Sequence, residues 1–548
     1  MISSKFYIID AMEESFVGTL WHGGTIYTMQ EENTAAEAVF VRNGIIEGVG
    51  TYEELSAIFA SQITNRVDLK GSTMYPGFVD SHMHLIGHGE KLVRLDLSTI
   101  TSSQNIVEVL TKRALKTKEQ EWIIGEGWNE NLLLDRKIFH RNELDEIAPT
   151  NPMMLTRVCR HAVIVNSMAL KLAGITNETE DPPGGVIVRD HDGVATGYLL
   201  DQAQELVKKV IPAVTEEYLE KALTVAVDDC LKLGLVGAHS EDLNYYGGFE
   251  RTYQTFLNVI DGNERKFKVN LLVHHEVVDD MDQLGYRLNR ETDYIEFGAM
   301  KIFADGALGG RTALLSQPYN DVPETSGVAI HSLDQLKELV QKARKYKMPV
   351  AIHTIGDLAF EYALDAIEDY PPIFGQRDRF IHAQILRKDL IDRAKKQPLI
   401  LDIQPRFVAT DFPWVIERIG EVRMNDCYAW KTLLENNLSL AGGSDAPIEP
   451  VNPLLGIHAA VSRRHPDDTD NQGYYPNEKL TVFDAVKLFT SGSAFAICKE
   501  NQRGHIAKGY QADFTIVDRD LFTIETDEIL QANVVMTVVD DMIMYQNR

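Results

Sequence analysis

The sequence predicts an α/β chain: a (β/α)8 barrel joined to a small β domain made from both ends of the polypeptide. Three observations predict it. Eight apolar, strand-like runs alternate with amphipathic helical stretches, which is the pattern of parallel βα units. The two ends share a texture of short strands and glycine-containing turns. Several of the eight runs finish on a residue that binds metal or moves a proton, as the catalytic rim of a barrel does.

The first run is the most telling. Phe78-Val79 reads as the buried part of a strand that ends in Asp80-Ser81-His82-Met83-His84. Strand side chains alternate with period two, so His82 and His84 share a face. The other strand ends fall at 235–240, 271–275, 299–305, 350–354, 380–383, 401–405 and 438–445. Near the start of the chain, Gly23-Gly24 is expected as a turn between apolar runs. Asn43-Gly44 is expected as the turn of a hairpin. Strand-like runs return at 512–518 and 534–539. Isolated hairpins are not stable alone, so residues 17–70 and 500–548 are assigned to one composite β domain and 71–499 to the barrel. The stretch between the first two strand ends is too long for one helix. Residues 98–215 are therefore expected to form an inserted subdomain over the catalytic face.

Composition narrows the function. The 548 residues carry a formal net charge of −27, with 44% hydrophobic and 25% charged residues. That is a globular composition, and its sign disfavours nucleic acid and anionic membranes as partners. No apolar run approaches a membrane span, and the N-terminus is too poor in apolar length for a signal peptide. Cys159, Cys230, Cys427 and Cys498 are scattered without paired spacing, which suits reduced thiols and the cytoplasm.

Six residues of metal-site type stand on the predicted rim: His82, His84, Lys301, His353, His382 and Asp445. Each has a plain alternative. A single histidine is often a hydrogen-bonded core residue, and Gly443-Ser444-Asp445 can be only a turn. Lys301 is harder to dismiss, because a lysine inside an apolar strand needs its desolvation compensated. Imidazoles and a carboxylate suit zinc, and also iron, manganese or cobalt. Two ions about 3.5–4 Å apart need a bridging anion. Reaction of Lys301 with CO₂ would supply one as a carbamate. Asp445 can both bind metal and carry a proton from the attacking water to the leaving nitrogen.

These residues, with Gly77-Phe78-Val79, Trp122-Ile123-Ile124-Gly125-Glu126-Gly127-Trp128, His161-Ala162-Val163, Asp305-Gly306-Ala307-Leu308-Gly309 and His353-Thr354-Ile355-Gly356-Asp357, resemble the amidohydrolase superfamily. The likeness is to its third amidohydrolase family, the branch that includes N-substituted formamide deformylase. The resemblance implies a distorted TIM barrel, a β-sandwich domain from both termini, and hydrolysis of a non-peptide C–N bond in a small molecule by a metal-activated hydroxide. It implies that His82, His84 and Asp445 hold one zinc ion, that His353 and His382 hold another, and that carboxylated Lys301 bridges them. A single ion is the variant to weigh, because a mononuclear deaminase of a heterocycle would use the same histidines without a carbamate. A non-catalytic scaffold would have discarded some of the six residues. Trp128, His161 and Arg311 are expected at the substrate, with a structural role as the alternative for each. A homodimer is the default assembly.

Overall fold

The computed structural model describes residues 18–547, apart from 33, 99, 131–132, 158–161, 213 and 291. The chain divides into two compact units, Met1–Leu85 with Val227–Arg548, and Ile86–Ala226.

The larger unit contains the barrel. Its strands are β1 (Phe78–Met83), β2 (Leu235–Ser240), β3 (Lys268–His274), β4 (Ile295–Phe303), β5 (Val350–Thr354), β6 (Asp378–His382), β7 (Leu399–Ile403) and β8 (Ser439–Gly442). Each pairs in parallel with the next in chain order. All eight expected strand ends fall on these strands or directly after them. Strands β2, β3, β6 and β7 are buried along their whole length, because helices cover the outside of a parallel sheet and side chains fill the inside. The helix Leu333–Lys345 shows how the covering layer is specified. Ser332 and Gln335 close a capping box at its start, and Leu336, Val340 and Ala343 form its buried stripe.

The barrel is nearly closed, with β8 and β1 at the two ends of the series. Their seam is bridged at the rim. Asp445 N donates to His82 O (2.8 Å) and His84 N donates to Ala446 O (2.7 Å). The Asp80 carboxylate accepts from Ser444 N (3.0 Å), Ser444 Oγ (2.6 Å) and His82 N (3.0 Å).

The two ends of the chain form one mixed sheet. Its order is Met542–Gln546, Val534–Val539, Phe514–Val517, Thr73–Pro76, Gly18–Tyr27, Ala35–Arg42 and Ile45–Gly50, with Asn65–Asp68 also paired to Gly18–Tyr27. The hairpin at Asn43-Gly44 is present, and both residues have positive φ, 53° and 73°. Gly23-Gly24 is not a turn. It is an irregularity inside the strand Gly18–Tyr27, which pairs with Asn65–Asp68 before it and with Thr73–Pro76 after it. A Cβ on Gly23 would lie 2.1 Å from Asp68 Oδ1, and one on Gly24 would lie 2.0 Å from Ser72 O, so the glycines permit this change of partner. The strand Thr73–Pro76 lies in this sheet, beyond the boundary expected at residue 70. Trp21, Val39, Ile46, Phe514, Ile516 and Val538 share its core.

The unit Ile86–Ala226 has its own six-stranded sheet, ordered Gly185–Arg189, Ala195–Asp201, Ala162–Val165, Met153–Arg157, Ile123–Trp128, Leu95–Asp96. No helix among the described residues is long and apolar enough to cross a membrane.

At the start of β3, the buried Lys268 ammonium donates to Asp513 (2.7 and 2.8 Å), Asp540 Oδ1 (2.6 Å) and Gln511 Oε1 (2.8 Å). Removing one partner of such a group leaves buried charge uncompensated. Lys268→Met is expected to lower stability by about 3 kcal/mol, read as a fall in the denaturation midpoint.

Candidate metal centre

The period of β1 places His82 and His84 at its C-terminal end, directed at the same carboxylate. His82 Nε2 lies 3.5 Å and His84 Nε2 3.7 Å from Asp445 Oδ1. The ligand atoms of these three residues lie within 4.8 Å of one another. Lys301, fully buried on β4, brings Nζ to 3.3 Å from His82 Nε2. His353 on β5 and His382 at the end of β6 form a second pair, with His353 Nδ1 3.0 Å from His382 Nε2.

For His382, His353 and His84, hydrogen bonds on the far side of the ring determine what the near side is. His382 Nδ1 donates to Gln404 Oε1 at 2.7 Å. The Gln404 amide is oriented by its own donation from Nε2 to Asp402 O (3.2 Å). His353 Nε2 donates to Gly306 O at 3.1 Å. The nitrogens that face each other therefore carry lone pairs, not protons. Two acceptors in contact repel unless a cation lies between them. Imidazole nitrogens bind a divalent ion at about 2.0–2.1 Å, which puts two ligands of one ion roughly 3 Å apart. In the same way His84 Nδ1 donates to Glu241 O at 2.6 Å, leaving Nε2 free.

Burial sets the charge states. His82 and His382 are pushed well below the ordinary imidazole range, first by desolvation and then by neighbouring cations; for His353 the fall is to about 3. All three are neutral near pH 7, the form in which an imidazole can bind a metal. Desolvation also pulls Lys301 down to about 8 and pushes Asp445 up to about 6. Four imidazoles and one carboxylate converge beside Lys301, whose burial makes its ammonium give up a proton more readily than a free lysine does. These residues fit a divalent cation. They open on a cavity of about 370 Å³, walled by Phe303, Leu308, Phe407, Trp414 and Ile448 beside the ligands.

Arg311 does not line this cavity. Arg311 forms a forked pair with Asp321, Nε at 3.2 Å and Nη2 at 2.6 Å. Trp128 is enclosed in the core of its own unit with Leu97, Ile123 and Leu155, and its indole donates to Leu155 O at 3.3 Å. His161 lies outside the described residues. Gln404, Glu241 and the Gly306 carbonyl, which orient the histidines, received no role from the sequence. Their signal was position, since Gln404 ends the seventh run and Glu241 and Gly306 directly follow the second and fourth.

The profile of the amidohydrolase family matches residues 66–545. The chain belongs to the amidohydrolase family. This amidohydrolase is 50% identical to the protein YtcJ of Bacillus subtilis (strain 168), over 96% of this chain and 99% of that one. It is 27% identical to N-substituted formamide deformylase of Arthrobacter pascens, over 95% and 97%. An uncharacterized metal-dependent hydrolase from Pyrococcus furiosus has the same fold, with TM-score 0.78, 28% identity and coverage of 92% and 100%. The amidohydrolase is accordingly a metal-dependent hydrolase, and His82, His84 and Asp445 are its candidate site for a divalent metal.

Partners of ligating histidines tune metal affinity by about 10–100-fold. In a two-ion site, Gln404→Leu is therefore expected to weaken metal binding at the His353–His382 pair by about that factor, measured by competition with a chelator.

Proposed function

We propose that this amidohydrolase hydrolyses a non-peptide C–N bond of a small amide, formamide or cyclic amide at a site holding two zinc ions. The observation that carries the reading is the second histidine pair. The facing lone pairs of His353 and His382, at 3.0 Å, add a cation position to the one at His82, His84 and Asp445. The name of the formamide-cleaving relative supports the choice of bond.

Lys301 is the bridge in this reading. Its charge acts on His82, His353 and His382 alike, so it sits among both groups of ligands. An ammonium there would repel the ions. Desolvation brings Lys301 to about 8, which leaves a useful fraction of free amine at neutral pH. The ammonium would release one proton to give that amine, and the amine would form an N–C bond to CO₂ with release of a second, leaving a carbamate anion suited to hold the ions.

Bound divalent ions supply Lewis acidity, polarising an acyl oxygen and making water acidic near neutral pH. The protein does the rest. Asp445 takes the proton from the attacking water and returns it to the leaving nitrogen. Gln404, Gly306 O and Glu241 O hold the imidazoles in their ligating tautomers. Phe303, Phe407 and Trp414 give the organic part of the substrate an apolar wall. The cytoplasm is the proposed location, supported by the free thiols of Cys230, Cys427 and Cys498.

One observation favours a mononuclear deaminase instead. His82, His84 and Asp445 already form a complete three-donor group for one ion. Metal stoichiometry separates the readings. Two ions per chain and a carbamate signal from ¹³C-bicarbonate-treated protein are expected, whereas one ion and an unmodified Lys301 would favour the deaminase. Asp445→Asn is expected to keep metal bound and abolish turnover of an N-formyl, N-acyl and cyclic amide panel. Near-normal activity in that variant would remove Asp445 from the mechanism.

A further inference from the structure

The cavity beside the metal ligands contains a carboxylate with no cation. Asp411, at the end of the helix Phe407–Asp411, lines it together with Gln384 and Glu449. Asp411 Oδ2 accepts from Tyr428 Oη at 2.7 Å and from Gln384 Nε2 at 3.1 Å, and Gln384 Nε2 also donates to Tyr428 Oη at 2.8 Å. Every one of these donors is neutral. Glu449, in contrast, is neutralised by Arg406, whose Nε lies 3.1 Å from its Oε2. Among the described residues no lysine, arginine or histidine forms an ion pair with Asp411, and no lysine or arginine lines the cavity. Burial, with Glu449 adding to it, pushes Asp411 up to about 7, while Tyr428, Gln384 and the charge of Arg418 act the other way. That is the signature of a carboxylate missing a counter-charge.

Gln384 points to the same need. It is 4% exposed, and its Oε1 has no hydrogen-bond partner. The amide cannot be reversed to relieve this without facing its oxygen to the carboxylate. A network meant only to tie the end of β6 to the helix Phe407–Asp411 would be satisfied by a neutral amide in place of Asp411, with no ionisable group to desolvate. The surrounding wall is apolar, with Phe303, Leu308, Ile355, Phe407 and Trp414.

We infer that Asp411 is a cation subsite, and that the substrate carries a protonated amine on an apolar arm. The inference deepens the amide-hydrolase reading and rests on it for the reacting bond, but its test does not depend on turnover. The zinc-loaded protein is titrated calorimetrically with cyclohexylmethylammonium and with its neutral isostere cyclohexylmethanol. The ammonium is expected to bind at least about tenfold more tightly, the lower end of what a close charge pair contributes. Asp411→Asn is expected to remove that preference, while Tyr428→Phe, which keeps the carboxylate, retains it. Equal binding of the two probes by the wild-type protein, a comparison that needs no variant, overturns the subsite. So does an unchanged preference in Asp411→Asn. The amide panel reports separately. A protein that prefers the ammonium and hydrolyses no amide keeps the subsite and loses the amide reading. One that hydrolyses amides and binds both probes equally does the reverse.

Discussion

The site depends on one buried carboxylate, Asp80, at the seam between β8 and β1. It is fully buried, and desolvation alone would drive it neutral, pushing it up to about 7 against the hydrogen bonds that favour its charge. Those bonds come from Ser444 and from the backbone N–H of His82. Asp80, two residues before His82, is thereby tied to Ser444, the residue before Asp445. Glycine is required beside it, because a Cβ on Gly443 would lie 2.6 Å from His82 N and 2.8 Å from Asp80 Oδ1. The price of this approach is conformational. Asp445 has φ 57° and His382 has φ 77°, a region that side chains other than glycine occupy at a cost of about 1–3 kcal/mol each. Two of the rim candidates thus depart from strand geometry in left-handed backbone.

Beneath the ligands lies a second layer whose task is orientation. Asp305 accepts from the backbone N–H groups of Leu314, Ile355 and Gly356, which fixes the turn after β4 where the Gly306 carbonyl meets His353. Glu241 N donates to Met83 O at 3.0 Å, so the residue whose carbonyl holds His84 is itself anchored to β1. Below, Arg379 bridges Asp402 (2.7 Å) and the carbonyl of Ser81 (2.6 Å). This buried pair gains less from attraction than it loses in hydration unless its remaining hydrogen bonds are made. Its contribution is therefore better understood as holding β1, β6 and β7 in one register than as added stability.

Much of this was legible along the chain, for a physical reason. The rim candidates were legible by position: His82, His353, His382 and Asp445 are polar residues at the ends of apolar runs, whereas Lys301 stands out as a lysine inside one. The hairpin at Asn43-Gly44 was legible because positive φ at two successive positions restricts composition locally. Gly23-Gly24 was not, since glycine pairs serve turns and close approaches alike, and only the distant Asp68 and Ser72 decide between them. Thr73–Pro76 was assigned to the barrel because nothing in its own sequence says that Phe514–Val517 will pair with it. Gln404 and Glu241 carry no ligating signature, and their roles appear only once the rings they orient are in place. Arg311 and Trp128 were ambiguous in sequence for the opposite reason, as their types suit substrates and structural contacts equally.

The distribution of charge in the cavity gives a bound molecule a direction. At one side stand the imidazoles and Asp445, which in the proposed reading would hold the metal and turn positive charge toward an acyl oxygen. At another stands Asp411, a carboxylate with only neutral donors of its own. Between them the wall is aromatic and aliphatic, which strengthens both interactions by lowering the local dielectric. In that reading a substrate with its carbonyl at one end and a protonated amine at the other would be matched by both. Reversed, it would set a cation against the metal centre and an acyl oxygen against a carboxylate. Orientation would then follow from repulsion in the wrong pose as much as from attraction in the right one, with Asp411 and the metal centre as its two poles.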